Sequence, residues 1–240
     1  MLTVAIDSGP LHGHRTGIGS AVEWFLDELT TGPASGDVRL VRYVTSARAR
    51  LGVDERRVPA PAALALRAWA QRSWPRLDRV LGHPDVVHGT NYVVPPTRAP
   101  GIVSVYDCWF LDRPSAVHRD VALAARAMQR ALADGAVALT SSAATATRLR
   151  HHVPDARIET IHLGPPPPPA DDESEPRIPP IATRLDGAPF VVSIGTLERR
   201  KNVPTLVRAF DRLADEVGRL HLVIAGGEGD DAATTARAIE

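Results

Sequence analysis

The sequence predicts an α/β fold, a parallel β-sheet with helices on both faces. Two observations carry this reading. Short apolar runs alternate with longer segments of helical period, the order expected of β-α-β units. Several of those runs also lack a polar face, which fits strands buried on both sides.

Taken along the chain, strands are expected at Leu2–Ile6, Val38–Val44, Val86–His88, Gly101–Tyr106, Ala136–Thr140, Arg157–His162, Phe190–Ile194 and Leu220–Ala225. Helices are expected over Ser20–Thr30, Ala62–Leu81 with a break at Pro75, Ala122–Ala133, Ala143–His151 and Val203–Val217. The first of these places Val22, Phe25, Leu26 and Leu29 on one face. Composition changes after Gly164, where the proline run 165–169 is followed by the acidic stretch 171–175 and more proline up to Pro180. A proline run favours extended polyproline II and the acidic residues cannot build a core, so a linker is expected; a ligand for a proline-binding module is the other reading. The expected division is a first domain over 1–164, a linker over 165–187 and the beginning of a second domain over 188–240. The last part holds one strand–helix–strand unit and the start of a further helix, too little area to stand comfortably alone.

The bulk numbers narrow the function. Hydrophobic residues make up 44%, enough to bury a core. Lys+Arg and Asp+Glu are both 28, and a formal net charge of zero argues against a nucleic-acid binder. Cys108 is the single cysteine, which excludes an intrachain disulfide and favours a reducing, cytoplasmic compartment. Met1 leads directly into a strand-like run, with no charged segment and long apolar stretch to form a secretory signal. No apolar stretch approaches the ~20 residues that span a bilayer.

The segment Val191–Asn202 reads as a strand, a turn at Gly195, a charged stretch and then a helix beginning near Val203 and Pro204. Proline suits a first helical turn, where its missing N–H would be unpaired in any case. Lys201 offers a mobile point charge, Arg200 a forked donor, and the helix N-terminus free amides, which together make an anion site. A solvated basic turn is the plainer alternative. Near the N-terminus, Asp7-Ser8-Gly9 and then His14-Arg15-Thr16-Gly17-Ile18-Gly19 follow the first strand and open a helix. Glycine there lets backbone amides approach a phosphate, although a Gly-x-Gly more often marks a tight turn.

The stretch Gly195-Thr196-Leu197-Glu198-Arg199-Arg200-Lys201-Asn202, with Leu206, Ala209-Phe210 and Leu222–Gly227, resembles the donor-domain opening of GT-B glycosyltransferases of family GT4. Three further segments resemble that family in order: Asp85–Tyr92, Ser104–Leu111 and Leu139–Thr145, where Ser141 or Ser142 is expected to cap a helix. The resemblance implies two Rossmann-like domains, the second one truncated. It also implies retaining transfer of a sugar, of hexosyl or mannosyl type, from a nucleotide-sugar to a glycan or lipid-linked acceptor. Arg200 and Lys201 would contact the donor diphosphate, with Gly17, Gly19 and Arg15 closing over it from the first domain. By the same resemblance Asp107, Tyr106 and His88 are the catalytic candidates, and no metal or other cofactor is expected.

Two departures stand out. Tyr106 occupies the family's histidine position, and a phenol titrating at about 10 is a poor base at neutral pH. His88 is the nearest alternative imidazole; a hydrogen-bonded histidine ending a strand is the plainer account of it. The family's late E-x7-E glutamate pair has no counterpart, since Glu228, Asp230 and Asp231 lack the spacing. The chain is therefore expected to be inactive alone, as a fragment of a longer protein. The alternative is a half-enzyme or non-catalytic acceptor-binding subunit completed by a partner chain.

Two weaker signals remain. His12/His14 and His151/His152 lack the supporting ligands of a metal site and read as surface histidines. The 62–81 helix would gather Leu66, Ala70, Trp74, Leu77 and Leu81 on one arc and Arg72, Arg76 and Arg79 on another. An ordinary packed helix explains that pattern, and a peripheral contact with anionic lipid is the second reading.

Overall fold

Adjacent residues of the first strand feed two different cores. In β1 (Leu2–Asp7), Ala5 belongs to the core that holds Val87, Val103 and Met128, whereas Ile6 belongs to the one that holds Val22 and Leu26. Successive strand side chains point to opposite faces, so a strand covered on both sides needs apolar residues at consecutive positions. The computed structural model describes residues 1–13, 16–33, 35–46, 49–166 and 180–240. It divides into two units, Met1–Pro167 and Pro168–Glu240.

In the first unit β1 is followed by α1 (Gly17–Thr31), β2 (Val38–Val44), β3 (Glu55–Arg57), α2 (Ala62–Gln71), α3 (Asp78–Leu81) and β4 (Val86–Gly89). Then come β5 (Gly101–Val105), α4 (Trp109–Asp112), α5 (Arg119–Ala133), β6 (Val137–Thr140), α6 (Ala143–His152) and β7 (Arg157–Thr160). The strands form one parallel sheet of seven, in the order β3-β2-β1-β4-β5-β6-β7. The chain winds outward from β1 to β3, then returns to place β4 beside β1. In open α/β sheets ligands collect at such a reversal, outside the carboxyl ends of the strands.

Four local differences from the sequence reading have physical causes. Strand β3 is Glu-Arg-Arg, with no apolar signal; it pairs with β2 at the sheet edge, Glu55 opposite Arg42, and the polar partners of Glu55 take the place of an apolar face. Helix α1 starts at Gly17 rather than Ser20, so Gly17 and Gly19 lie in its first turn, capped by Thr16, whose hydroxyl accepts from the Gly19 N–H at 3.4 Å. The expected helix over 62–81 is two helices. α2 stops at Gln71, and Arg72 is extended at φ −147° and ψ 149°, because Pro75 disfavours helix in the residues leading to it. The proposed arc of Arg72, Arg76 and Arg79 on one helix is therefore not formed. Helix α5 begins at Arg119, ahead of the expected Ala122, because the His118 ring accepts the Asp120 N–H at 3.3 Å as an added cap.

The second unit holds α7 (Pro180–Leu185), β8 (Phe190–Ile194), α8 (Val203–Val217), β9 (His221–Ala225) and α9 (Ala232–Ile239). β8 and β9 pair in parallel, with Phe190 opposite His221 and Ile194 opposite Ala225. Helix α7 lies within the segment expected to be linker, whose residues 167–179 fall outside the described residues.

Candidate functional site

Three strand ends of the first unit converge on a small cavity beneath α1. β4 contributes His88 and Thr90, β5 contributes Ser104 and Tyr106, and β6 contributes Leu139, Thr140 and Ser141 to a volume of about 120 Å3 roofed by Val22 and Phe25. Because Val87, Val103 and Val105 point into the core on the other face, the alternation of each strand aims His88 and Ser104 toward α1. His88 Nε2 lies 2.9 Å from Ser104 Oγ, and the imidazole meets Phe25 edge to face at 5.5 Å. Burial pushes the His88 pKa down to about 4, so the ring is neutral at physiological pH. Burial raises the Tyr106 pKa, and a side-chain hydrogen bond with Ser104 acts against that rise. Tyr106 is thus a protonated phenol that can donate but not accept a proton near neutrality.

The cavity unites His88 and Tyr106 but not Asp107. Asp107 Oδ1 instead accepts the Trp109 N–H at 3.1 Å, fixing the first turn of α4. Cys108 is buried; burial first, then Asp112 and Asp107, push its thiol up to about 11, which makes it an inert core residue.

A second cavity, of about 420 Å3, opens at the β1/β4 reversal and contains groups that the sequence reading did not assign. Asp7, Gly9, His12, Thr16, Ser46 and Asn91 are among its lining residues. Burial lifts the Asp7 pKa from the usual 3.8 to about 6, against the opposing hydrogen bond from the Gly9 N–H at 2.9 Å and the nearby His12. Glu55 takes hydrogen bonds from Ser8 Oγ at 2.6 Å and the Gly52 N–H at 2.8 Å, and lies 3.1 Å from His12 Nε2. Burial opposes ionisation of Glu55, yet these partners outweigh it and hold the carboxyl below its ordinary value. Asp7 ends β1 immediately before Ser8-Gly9, the one sequence signal that could have flagged it. Glu55 carried none, since its strand was not legible.

Of the predicted phosphate contacts in the first unit, Gly17 and Gly19 open α1, and a Cβ placed on Gly17 would meet nothing within 4 Å. Arg15 and His14 lie outside the described residues. Among the histidine pairs, His12 is bound to Glu55, and His152 Nε2 lies 2.7 Å from Asp112 Oδ1. Among the described residues no group of three or more His, Cys, Asp or Glu side chains is placed to hold a metal ion.

In the second unit, Gly195 at φ 143° turns the chain out of β8, a conformation that favours glycine. The Arg199–Lys201 turn and Asn202, left-handed at φ 52°, then lead into α8 with its early proline. The Lys201 Nζ lies 3.7 Å from where a Gly195 Cβ would stand, so the ammonium rests over the glycine at the strand end. Arg200 Nε donates to Glu198 Oε2 at 2.5 Å, which neutralises part of its charge. Lys201 forms no ion pair among the described residues. Gly226 is required by packing, because a Cβ there would lie 2.0 Å from the Gly195 carbonyl oxygen.

Residues 174–240, which contain this turn, match the family model described as glycosyl transferases group 1. Among solved structures, S. aureus MnaA in complex with UDP aligns with a TM-score of 0.56 at 15% identity, over 100% of this chain and 66% of that one. The E. coli trehalose-6-phosphate structure bound with UDP-2-fluoro glucose aligns with a TM-score of 0.55 at 10% identity, over 99% of this chain and 68% of that one. The fold is of the GT-B type, and the C-terminal segment is similar to the glycosyl transferases group 1 over residues 174–240. No curated protein matches the chain in sequence. This GT-B chain spans about two thirds of the length of either solved structure. Among the described residues no helix is long and apolar enough to cross a membrane.

Proposed function

We propose that this chain is the acceptor-binding domain and the first part of the donor-binding domain of a retaining glycosyltransferase that uses a nucleoside-diphosphate sugar. One observation carries the reading: Lys201, unpaired among the described residues, stands over Gly195 at the start of α8, inside the segment matched by the family. A cation beside a helix N-terminus suits a diphosphate, and its charge would stabilise the negative charge growing on the departing group. Arg200 assists once Glu198 releases it, and Gly17 and Gly19, in the first turn of α1, are proposed as further phosphate-binding residues. His88 and Tyr106 act as fixed neutral hydrogen-bonding groups toward the sugar or the acceptor, and Asp107 holds the loop beside them. The acceptor is a glycan or a lipid-linked sugar, the transferred sugar is of hexosyl or mannosyl type, and neither a metal nor another cofactor takes part.

Titration calorimetry of the 240-residue chain with UDP tests the donor site. Lys201→Ala should weaken UDP binding about tenfold or more, the scale for losing one charge-assisted contact, and Lys201→Arg should recover part of it. Equal affinity in wild type and Lys201→Ala would remove the basis for the assignment.

A second reading is favoured by β8. Phe190, Val192 and Ile194 are 53%, 48% and 77% exposed, an apolar strand with few covering groups. Such a strand needs a cover, supplied either by further residues of the same polypeptide or by a partner chain that makes this a half-enzyme. Co-purification from the native host separates the two: a second polypeptide in stoichiometric amount supports the half-enzyme, and a single longer species supports the fragment.

A further inference from the structure

The α2–α5 face carries charge that the candidate site does not use. Two hollows follow one another along the seam between these helices. One, of about 310 Å3, is lined by Arg67 and Gln71 of α2 and by Arg119, Leu123 and Arg126 of α5. The other, of about 460 Å3, is lined by Ser73, Arg76, Arg98 and Arg130, with Trp69 and Val94 among its apolar residues. This second hollow also touches Gly101, the first residue of β5, and so lies at the amino ends of the strands, opposite the His88 and Asp7 cavities.

All six arginines are exposed. Arg130 pairs with Asp134 at 3.3 Å, whereas the other five form no ion pair among the described residues. The acidic groups nearby are engaged: Asp134 also accepts from Ser73, Asp78 accepts the Arg98 N–H at 2.7 Å, and Asp120 sits 3.7 Å from His118. The whole chain has a formal net charge of zero, so this is a local concentration of positive charge rather than a general basicity. Exposed apolar side chains accompany it. Leu64, one turn before Arg67, is 58% exposed, and Trp74, between Ser73 and Arg76, is 68% exposed.

A small anion would account for one hollow but not for unpaired arginines along the whole seam. Arginines that neutralise phosphates, beside a tryptophan and a leucine that enter the headgroup boundary, fit a lipid surface. We propose that the α2–α5 face docks this chain on a membrane bearing anionic lipid. The sequence pattern hinted at such a contact on a single long helix. The structure breaks that helix at Arg72 and supplies the second row of arginines from α5.

Sedimentation with phosphatidylglycerol vesicles, beside phosphatidylcholine vesicles, tests the proposal on the intact 240-residue chain. The expected result is partition into the anionic vesicles alone, falling as salt is raised, with a blue shift of tryptophan emission that Trp74→Phe removes. Replacing Arg67, Arg119 and Arg126 together with glutamine should lower partition on the order of 100-fold, from about fivefold per arginine. These side chains are exposed, so an unchanged melting curve is expected to accompany that loss. Equal binding to both vesicle types overturns the proposal, as does undiminished partition of the triple variant. Displacement from the vesicles by millimolar inorganic phosphate at constant ionic strength would replace it with a free-phosphate site. Binding to a single-stranded oligonucleotide with none to either vesicle would reassign the face to nucleic acid.

Discussion

Lys201 and the pair Asp7/His88 are where single side chains decide chemistry. Under the proposed function, Lys201→Ala is expected to cost about 2–4 kcal/mol of transition-state stabilisation, read as a fall in kcat/KM. Turnover equal to wild type would place the diphosphate elsewhere. Asp7 and His88 make opposing contributions to the pH dependence of folding. The Asp7 pKa is raised to about 6, so between 3.8 and 6 the folded state holds a proton the unfolded state has lost, and stability falls as pH rises through that window. The His88 pKa is lowered to about 4, so between 4 and 6.5 the unfolded state takes up a proton the folded state refuses, and stability rises with pH. Each shift of two units or so corresponds to about 3 kcal/mol, and the two largely cancel near pH 5. Asp7→Asn should expose the histidine, giving a denaturation midpoint that climbs steadily from pH 4 to 6.5. A flat profile in that variant would mean that His88 is not held neutral.

At the scale of elements, caps and close approaches set the boundaries. Ser142 Oγ accepts the Thr145 N–H at 3.1 Å and caps α6, as the serine pair of the sequence led one to expect. Ser142→Ala should destabilise the first unit by about 1 kcal/mol, measured by urea denaturation, while Ser141→Ala should change it little. Gly89 ends β4 where a Cβ would lie 1.9 Å from the Val93 carbonyl oxygen. Gly89→Ala should therefore cost about 3 kcal/mol, the upper part of the range for overpacking, and a midpoint within error of wild type would show that the loop yields. That the strand–loop contact needs glycine could not be read from the sequence, because the constraint comes from a loop folding back on its own strand.

For the whole molecule, the division into two units predicts unequal stability. Trp24, Trp69, Trp74 and Trp109 all lie in the first unit, so tryptophan fluorescence reports that unit alone, while far-ultraviolet circular dichroism reports both. Among its described residues the second unit has one pair of strands with β8 largely exposed, a small core for its chain length. Circular dichroism should begin to fall at lower urea than fluorescence does. Superimposable curves would mean that the two units unfold as one cooperative body.

The sequence by itself determined the α/β class, most strands, the long helices and the strand–Gly195–basic turn–helix order around Lys201. Each of these is written in local periodicity or in a residue type with one backbone preference. It could not give β3, whose Glu-Arg-Arg has no apolar period and pairs only because β2 is beside it. Nor could it separate α2 from α3 at the right residue, or show that α5 adds a second row of arginines to the seam. The titration of Asp7 and His88 was equally hidden. A carboxyl or imidazole shifts because neighbours far away in sequence remove it from water, and Phe25, Ser104 and His88 meet only once the sheet order has been set. Tertiary structure decided those points, since burial and long-range pairing have no local signature in the chain.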